Sequence, residues 1–151
     1  MPNLRGPRPW PEPEATASST ASSKSLPEAA RLARRGEDIA AGYLKSRGLE
    51  ILARNWRTGH RELDIVALDG RVVAFVEVKT RRGGPQHPLE AITRAKRREV
   101  RRAAASWIRA HPRVGAEFRF DAVAVRFEEG RQEGRQPTVE HIPNAFFGED
   151  T

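Results

Sequence analysis

Arg61-Glu-Leu-Asp-Ile-Val-Ala-Leu-Asp-Gly-Arg-Val-Val-Ala-Phe-Val-Glu-Val-Lys-Thr80 is the stretch that decides the fold. Two β-rich runs flank Asp69-Gly70, and Asp-Gly in that setting is a strong signal for a two-residue hairpin turn. A regular turn there makes Leu68 face Arg71, Asp64 face Phe75 and Glu62 face Glu77. Side chains alternate along a strand, so Glu62, Asp64, Glu77 and Lys79 share one face, with Val66, Leu68, Val73 and Phe75 nearer the turn. The opposite face (Leu63, Ile65, Ala67, Val72, Ala74, Val76, Val78) is wholly apolar. Both faces then need covering, and a sheet between helices follows.

The acids are the informative part of that face. A carboxylate removed from water needs a paired charge, hydrogen bonds or a metal. On this register Asp64 and Glu77 are diagonal neighbours, roughly 7–8 Å apart at the backbone. Glu62 opposes Glu77, and like charges directly opposite each other destabilise a sheet. A divalent cation would resolve that repulsion. The alternative for Glu77 and Lys79 is an ordinary solvated face with cross-strand ion pairs; three acids on one patch count against it.

Upstream, Ser25-Leu-Pro-Glu28 has the form of a capping box, and Ala29, Leu32, Ala33, Gly36, Ala40, Tyr43 and Leu44 recur at helical spacing up to a stop at Gly48. Glu37 lies within or beside that apolar stripe. It reads either as an acid snorkelling at the edge of the buried face or as a further ligand or water-positioning group delivered by the helix. A first strand over Leu49–Trp56 follows, then strands at Glu62–Leu68 and Arg71–Thr80 and a loop at Arg81–Pro88. Downstream, the pattern predicts a long helix over Pro88–Ala110 with Ile92, Val100, Ala103, Ala104 and Trp107 inward. Strands at Phe118–Phe127 and Thr138–Ile142 complete an α-β-β-β-α-β order, with Phe146 and Phe147 packing back.

The length of 151 residues suits one domain. Six of the 11 prolines fall within Met1–Pro27, which has too few large apolar residues to offset the entropy of ordering it. Residues 1–25 are therefore expected to be a disordered tail and 26–151 the domain. With no cysteine, disulfides and thiolate zinc sites are excluded. His60, His87, His111 and His141 show no metal-ligand spacing, so a bound metal would rest on carboxylate and backbone oxygens, which favours Mg²⁺ or Mn²⁺. No signal-peptide core and no run near the ~20 apolar residues of a membrane span is present, so a soluble, cytoplasmic protein is expected. The net charge of +7 suggests a polyanionic partner, with nucleic acid the leading candidate.

Asp64 followed by Glu77-Val78-Lys79 at a hairpin's reach resembles the PD-(D/E)XK nuclease superfamily. More closely, the chain is similar to the YraN family of restriction-endonuclease-like bacterial proteins, which are similar to Holliday junction resolvases. The matching residues are Gly36-Glu37, Gly48, Arg54-Asn55, Glu62-Leu-Asp64-Ile and Phe75-Val-Glu-Val-Lys-Thr-Arg81, then Pro88-Leu-Glu-Ala91, Lys96 and Arg119-Phe-Asp121. Arg61 and Gln86-His87 depart from the pattern. The resemblance implies a restriction-endonuclease-like α/β core in which Asp64 and Glu77 bind Mg²⁺ with the Val78 carbonyl. It also implies that Glu37 completes the acidic cluster and that Lys79 orients the attacking water and stabilises charge on the phosphate.

The long helix carries Arg94, Lys96, Arg97, Arg98, Arg101 and Arg102, with Glu99 the one acid among them. If its apolar stripe faces inward, most of these cations point outward. With Arg81 and Arg82 they suit contacts to a phosphate backbone, by shape and not by base sequence. The expected function is a Mg²⁺-dependent endonuclease hydrolysing DNA phosphodiester bonds, with branched or structured DNA as the candidate substrate. A single-site unit must pair to cut both strands, which makes a homodimer a candidate assembly. The competing readings are a non-catalytic nucleic-acid-binding protein retaining the fold, as an accessory factor in DNA repair or uptake, and an adaptor whose basic helix meets an acidic partner. Asp121 is expected to cap, pair with an arginine or support the fold.

Overall fold

Two apolar stripes place two helices on opposite faces of one sheet. The computed structural model describes residues 26–112, 114, 117–129 and 136–146. Their order is α1 (Glu28–Ser46), β1 (Glu50–Thr58), β2 (Arg61–Asp69), β3 (Val72–Arg82), a 3-10 turn (Pro88–Ala91), α2 (Arg94–Ala110), β4 (Glu117–Phe127) and β5 (Thr138–Ile142). The strands form one five-stranded sheet in sequence order, antiparallel except where β3 runs parallel to β4. A parallel pair needs a long crossover, and the 3-10 turn and α2 provide it. The tail expected over residues 1–25, Ser25 and Phe147 lie outside the described residues.

On one face, Ala40, Ala41 and Leu44 of α1 pack with Ile65, Ala67, Ala74, Val76, Val78, Val123 and Val125. On the other, Val100, Ala103, Ala104 and Trp107 of α2 pack with Val66, Val73, Phe75 and Ala122. The result is a mixed α/β sandwich with a restriction-endonuclease-like core. Gly36 is where α1 comes closest to the sheet: a Cβ there would collide with the Thr80 side chain. Gly36→Ala is expected to cost about 1–3 kcal/mol through overpacking. A lower urea midpoint at unchanged slope would show it, and an unchanged midpoint would mean that α1 sits further from β3.

Two helix boundaries differ from the sequence pattern. α1 begins at Glu28 with Pro27 as its cap position and no side-chain cap, so Glu28 is the first helical residue and cannot close a box from the third. The helix expected over Pro88–Ala110 is two elements. Thr93 Oγ1 accepts from the Lys96 N–H and starts α2 afresh, while His87 Nδ1 accepts from the Leu89 N–H and caps the 3-10 turn. Side-chain caps at Thr93 and His87 outcompete a continuous helical ladder there.

The hairpin register also differs, and this matters for the site. Asp69 pairs with Val72 and Leu68 with Val73, so the two-residue loop is Gly70-Arg71. Gly70 has φ +60°, and a turn with glycine first needs no left-handed aspartate. The pairing runs Val66↔Phe75 and Ile65↔Val76, then stops. One further step sets Asp64 across from Glu77, where the sequence had suggested Phe75.

Beyond that step the sheet forks. Arg61 and Glu62 pair only with β1, while Glu77 to Arg82 pair only with β4. Glu62 therefore does not oppose Glu77; it pairs with Arg57, with an ion pair at 3.4 Å. Alternation breaks at the same point. Ile65 and Ala67 lie in the α1-side core, yet Leu63 lies in the α2-side core with Val66. One shared face for Glu62, Asp64, Glu77 and Lys79 thus gives way to a kink at Asp64 that swings β2 away from β3.

Candidate functional site

The fork leaves backbone groups of β3 without a strand partner on that side, and Asp64 answers one of them. The Val78 N–H donates to Asp64 Oδ2 at 2.9 Å, a bond that a neighbouring strand would otherwise supply. A residue's carbonyl points to the same strand edge as its N–H, so the Val78 carbonyl also faces the fork. Glu77 is 2% exposed, and Lys79 Nζ of its own strand stands 3.7 Å from its Oε1. Lys96 Nζ, from the first turn of α2, stands 3.6 Å from the same oxygen. Burial, then the charge of Asp64 and a hydrogen bond with it, push the Glu77 carboxyl up to about 8, against the opposing pull of Lys96 and Lys79.

Glu37 reaches the fork from α1. Its carboxyl is pushed up to about 7 by burial and by Asp64 and, less strongly, Glu62, while Asn55 and Arg54 pull it down. With its amide nitrogen turned toward the acids, Asn55 donates to Glu62 Oε1 at 2.9 Å and to Glu37 Oε2 at 3.0 Å. Glu37 is thus an acid of the cleft. The charge of Asp64 acts on both Glu37 and Glu77.

The basic residues do not act as one outward-facing set. Lys96 points into the cleft. It sits one turn before Val100 on the buried stripe of α2, which is the sequence signal that places it there. Arg97 lies over the Phe146 ring, with its guanidinium carbon 5.7 Å from the centroid. Arg101 donates to the Phe146 carbonyl at 2.7 Å and lies over Phe120. Arg94, Arg98 and Arg102 are exposed, four residues apart along one stripe, and Arg82 is exposed at the end of β3 with Arg81 half-buried before it. α1 adds exposed Arg31, Arg34 and Arg35, the last over Phe127; the sequence reading had not drawn on these.

Other charged groups are structural. Asp121, fully buried, accepts from Arg119 Nε at 2.9 Å, from His141 Nε2 at 2.9 Å and from the Asn144 N–H at 3.1 Å. It pairs with an arginine and supports the fold. Arg61 ties the start of β2 to α2 through Glu99 at 2.9 Å.

Among the described residues, no group of three or more acid or histidine side chains forms a ready-made ion cage. The donor set is the Asp64–Glu77 pair, with Glu37 beside Asp64 and the Val78 carbonyl at the same edge. Such a set fits Mg²⁺, which usually keeps several waters and rests on one or two carboxylates plus substrate phosphate. Among the described residues no helix is long and apolar enough to cross a membrane.

The model of the uncharacterised protein family UPF0102 matches residues 36–125, from Gly36 at the α1–Thr80 contact to Val125 in β4. A UPF0102 protein of Syntrophotalea carbinolica is 50% identical over 117 residues, covering 76% of this chain and 90% of the relative. One from Rhodococcus opacus is 46% identical over 112 residues, covering 74% and 92%. One from Anaeromyxobacter dehalogenans is 44% identical over 119 residues, covering 78% and 85%. With all of the fork residues but none of the proline-rich start inside the matched span, the chain belongs to the UPF0102 (YraN) family.

Proposed function

We propose that this protein is a Mg²⁺-dependent endonuclease of the PD-(D/E)XK kind, hydrolysing phosphodiester bonds of branched or structured DNA. One observation carries the reading: a buried glutamate beside a second acid, at a fork in the sheet, with two lysine ammonium groups within 3.7 Å of one of its oxygens. A fold gains little from burying that combination, whereas phosphate hydrolysis uses all of it.

Asp64, Glu77 and the Val78 carbonyl would hold Mg²⁺, with Glu37 beside them. When bound, the ion supplies positive charge to a non-bridging phosphate oxygen and a water of lowered pKa. The chain's own groups do the rest. Lys79 turns from Glu77 toward the attacking water and holds it in line with the phosphorus. Lys96 brings fixed positive charge from α2 to the charge that builds on the phosphate oxygens. Arg82 and the exposed stripe Arg94, Arg98 and Arg102 engage backbone phosphates on either side, with half-buried Arg81 beside them, while Arg97 and Arg101 stay against Phe146 and Phe120. A second copy of the chain would supply the second cut.

The test compares full-length protein with Asp64→Ala and Glu77→Ala on linear, flapped and four-way DNA, with Mg²⁺, with Mn²⁺ and with chelator. Cleavage that needs the cation and is lost in both variants is expected. Equal cleavage by all three proteins would sink the assignment. Tight, salt-sensitive binding without cleavage would replace the enzyme by a nucleic-acid-binding protein on the same fold, and no binding at low salt would leave the adaptor.

A further inference from the structure

We infer that Asn55 is a positioning residue for the acidic cluster: its left-handed backbone and bridging amide hold Glu37 and Glu62 in place around Asp64. The inference rests on the metal reading of the fork proposed above. Asn55 has φ +50°, one of two non-glycine residues in that region among the described residues. Its register position is the telling one. β1 and β2 pair as Arg54↔Ile65 and Trp56↔Leu63, which leaves Asn55 across from Asp64 at the kink where β2 departs from β3. The side chains before and after it are sent to opposite faces: Arg54 pairs with Asp38 of α1 at 2.6 Å, and Trp56 packs toward the α2-side core.

Asn55 is exposed and packs in neither core. The left-handed conformation is therefore not repaid by buried area there, and an outlier of that kind at a candidate site points to a role in the site. The chemistry is specific. With the amide turned so that its nitrogen faces the acids, its two hydrogens go to different acids, Glu62 Oε1 at 2.9 Å and Glu37 Oε2 at 3.0 Å. Aspartate would accept the backbone but add a charge and lose both donors. Glycine would keep the backbone and lose the bridge. Partners that orient metal-holding carboxylates typically matter by about 10–100-fold in metal affinity.

The test measures Mn²⁺ binding to the full-length chain by the electron paramagnetic resonance of free Mn²⁺, without DNA. Asn55→Gly, Glu37→Gln and the double variant are compared with wild type, each checked by thermal unfolding. Asn55→Gly is expected to unfold near the wild-type temperature and to bind Mn²⁺ about 10-fold or more weakly. The double variant should lose less than the sum of the two single losses, because Asn55 acts in part through Glu37 and in part through Glu62. Wild-type affinity in Asn55→Gly, fully additive losses, or a collapse in its unfolding temperature would each overturn the inference while leaving the metal reading intact. A wild-type chain that binds no Mn²⁺ would overturn the metal reading, and this inference with it.

Discussion

Glu77→Gln is expected to give a protein that is more stable than wild type at about pH 9 and slower in cleavage by at least about 100-fold. Glutamine has the shape of the protonated acid without its charge. Burial and the neighbouring Asp64 push the Glu77 carboxyl from 4.5 up to about 8. For an acid whose folded value is raised, the folded state binds the proton more tightly. Its favourable contribution is fully present below about 4.5 and is lost as the pH rises through about 8. Wild-type stability should therefore fall across that window, and Glu77→Gln should fall less steeply. Glu37, raised to about 7, leaves a residual slope of the same sign.

At about pH 9 the gain should be roughly 1–3 kcal/mol. It is smaller than the shift alone suggests, because Lys79 and Lys96 lose their partner. Both are partly exposed and can turn to solvent. Urea midpoints at acid, neutral and alkaline pH measure it, and identical slopes for the two proteins would refute the account. Mg²⁺ should raise the unfolding temperature of wild type at alkaline pH and leave Glu77→Gln unmoved, because only a ligand bound to the folded state stabilises it. Higher stability with lost cation response would mark a residue kept at a cost to the fold, as active-site groups often are.

The architecture was legible in the sequence because it rests on periodicity. Val72 to Val78 is apolar at every position but Glu77, the continuous run of a strand covered on both faces, and Val100, Ala103, Ala104 and Trp107 define the second helix face. The site was legible as a list of residues and less so as a geometry. Hairpin register depends on which residue takes the left-handed position, and Gly70 takes it one place earlier in the loop than the Asp-Gly pattern implies. That shift brings Asp64 from opposite Phe75 to opposite Glu77. The kink at Asp64 has no periodic signature at all, since it arises where β2 leaves β3 and Asn55 turns left-handed across from it. Lys96 was visible as one more cation on a basic helix. Its place in the cleft follows only once the inner stripe of α2 is extended by a turn toward the N-terminus.

Asp121→Ala is expected to lose about 3–5 kcal/mol of stability, because it removes one member of a buried charged network and strands the others. For a domain of this size that is a fall of roughly 10–20 °C in unfolding temperature. Asp121 accepts from Arg119, His141 and the Asn144 N–H, and Arg119 in turn reaches Asp69 beside the β2–β3 turn at 2.9 Å. One carboxylate thus ties β4 to β5, to the segment after β5 and to the hairpin end. Burial alone would raise its pKa, but the hydrogen bonds from His141, Arg119 and the Asn144 N–H outweigh it and hold the carboxyl below its usual 3.8. For an acid whose folded value is lowered, the stabilisation is present above about 3.8 and is lost as the pH falls through the folded value. Wild type should therefore lose stability on the acid side, and Asp121→Ala should show a shallower acid limb from a lower plateau. Phe120 and Ala122 pack toward the α2-side core with Phe75, so alternation turns Asp121 away from the face of Glu77. Mn²⁺ binding by Asp121→Ala, measured well below its unfolding temperature, should match wild type. Loss of that binding in folded protein would move Asp121 from the scaffold into the site.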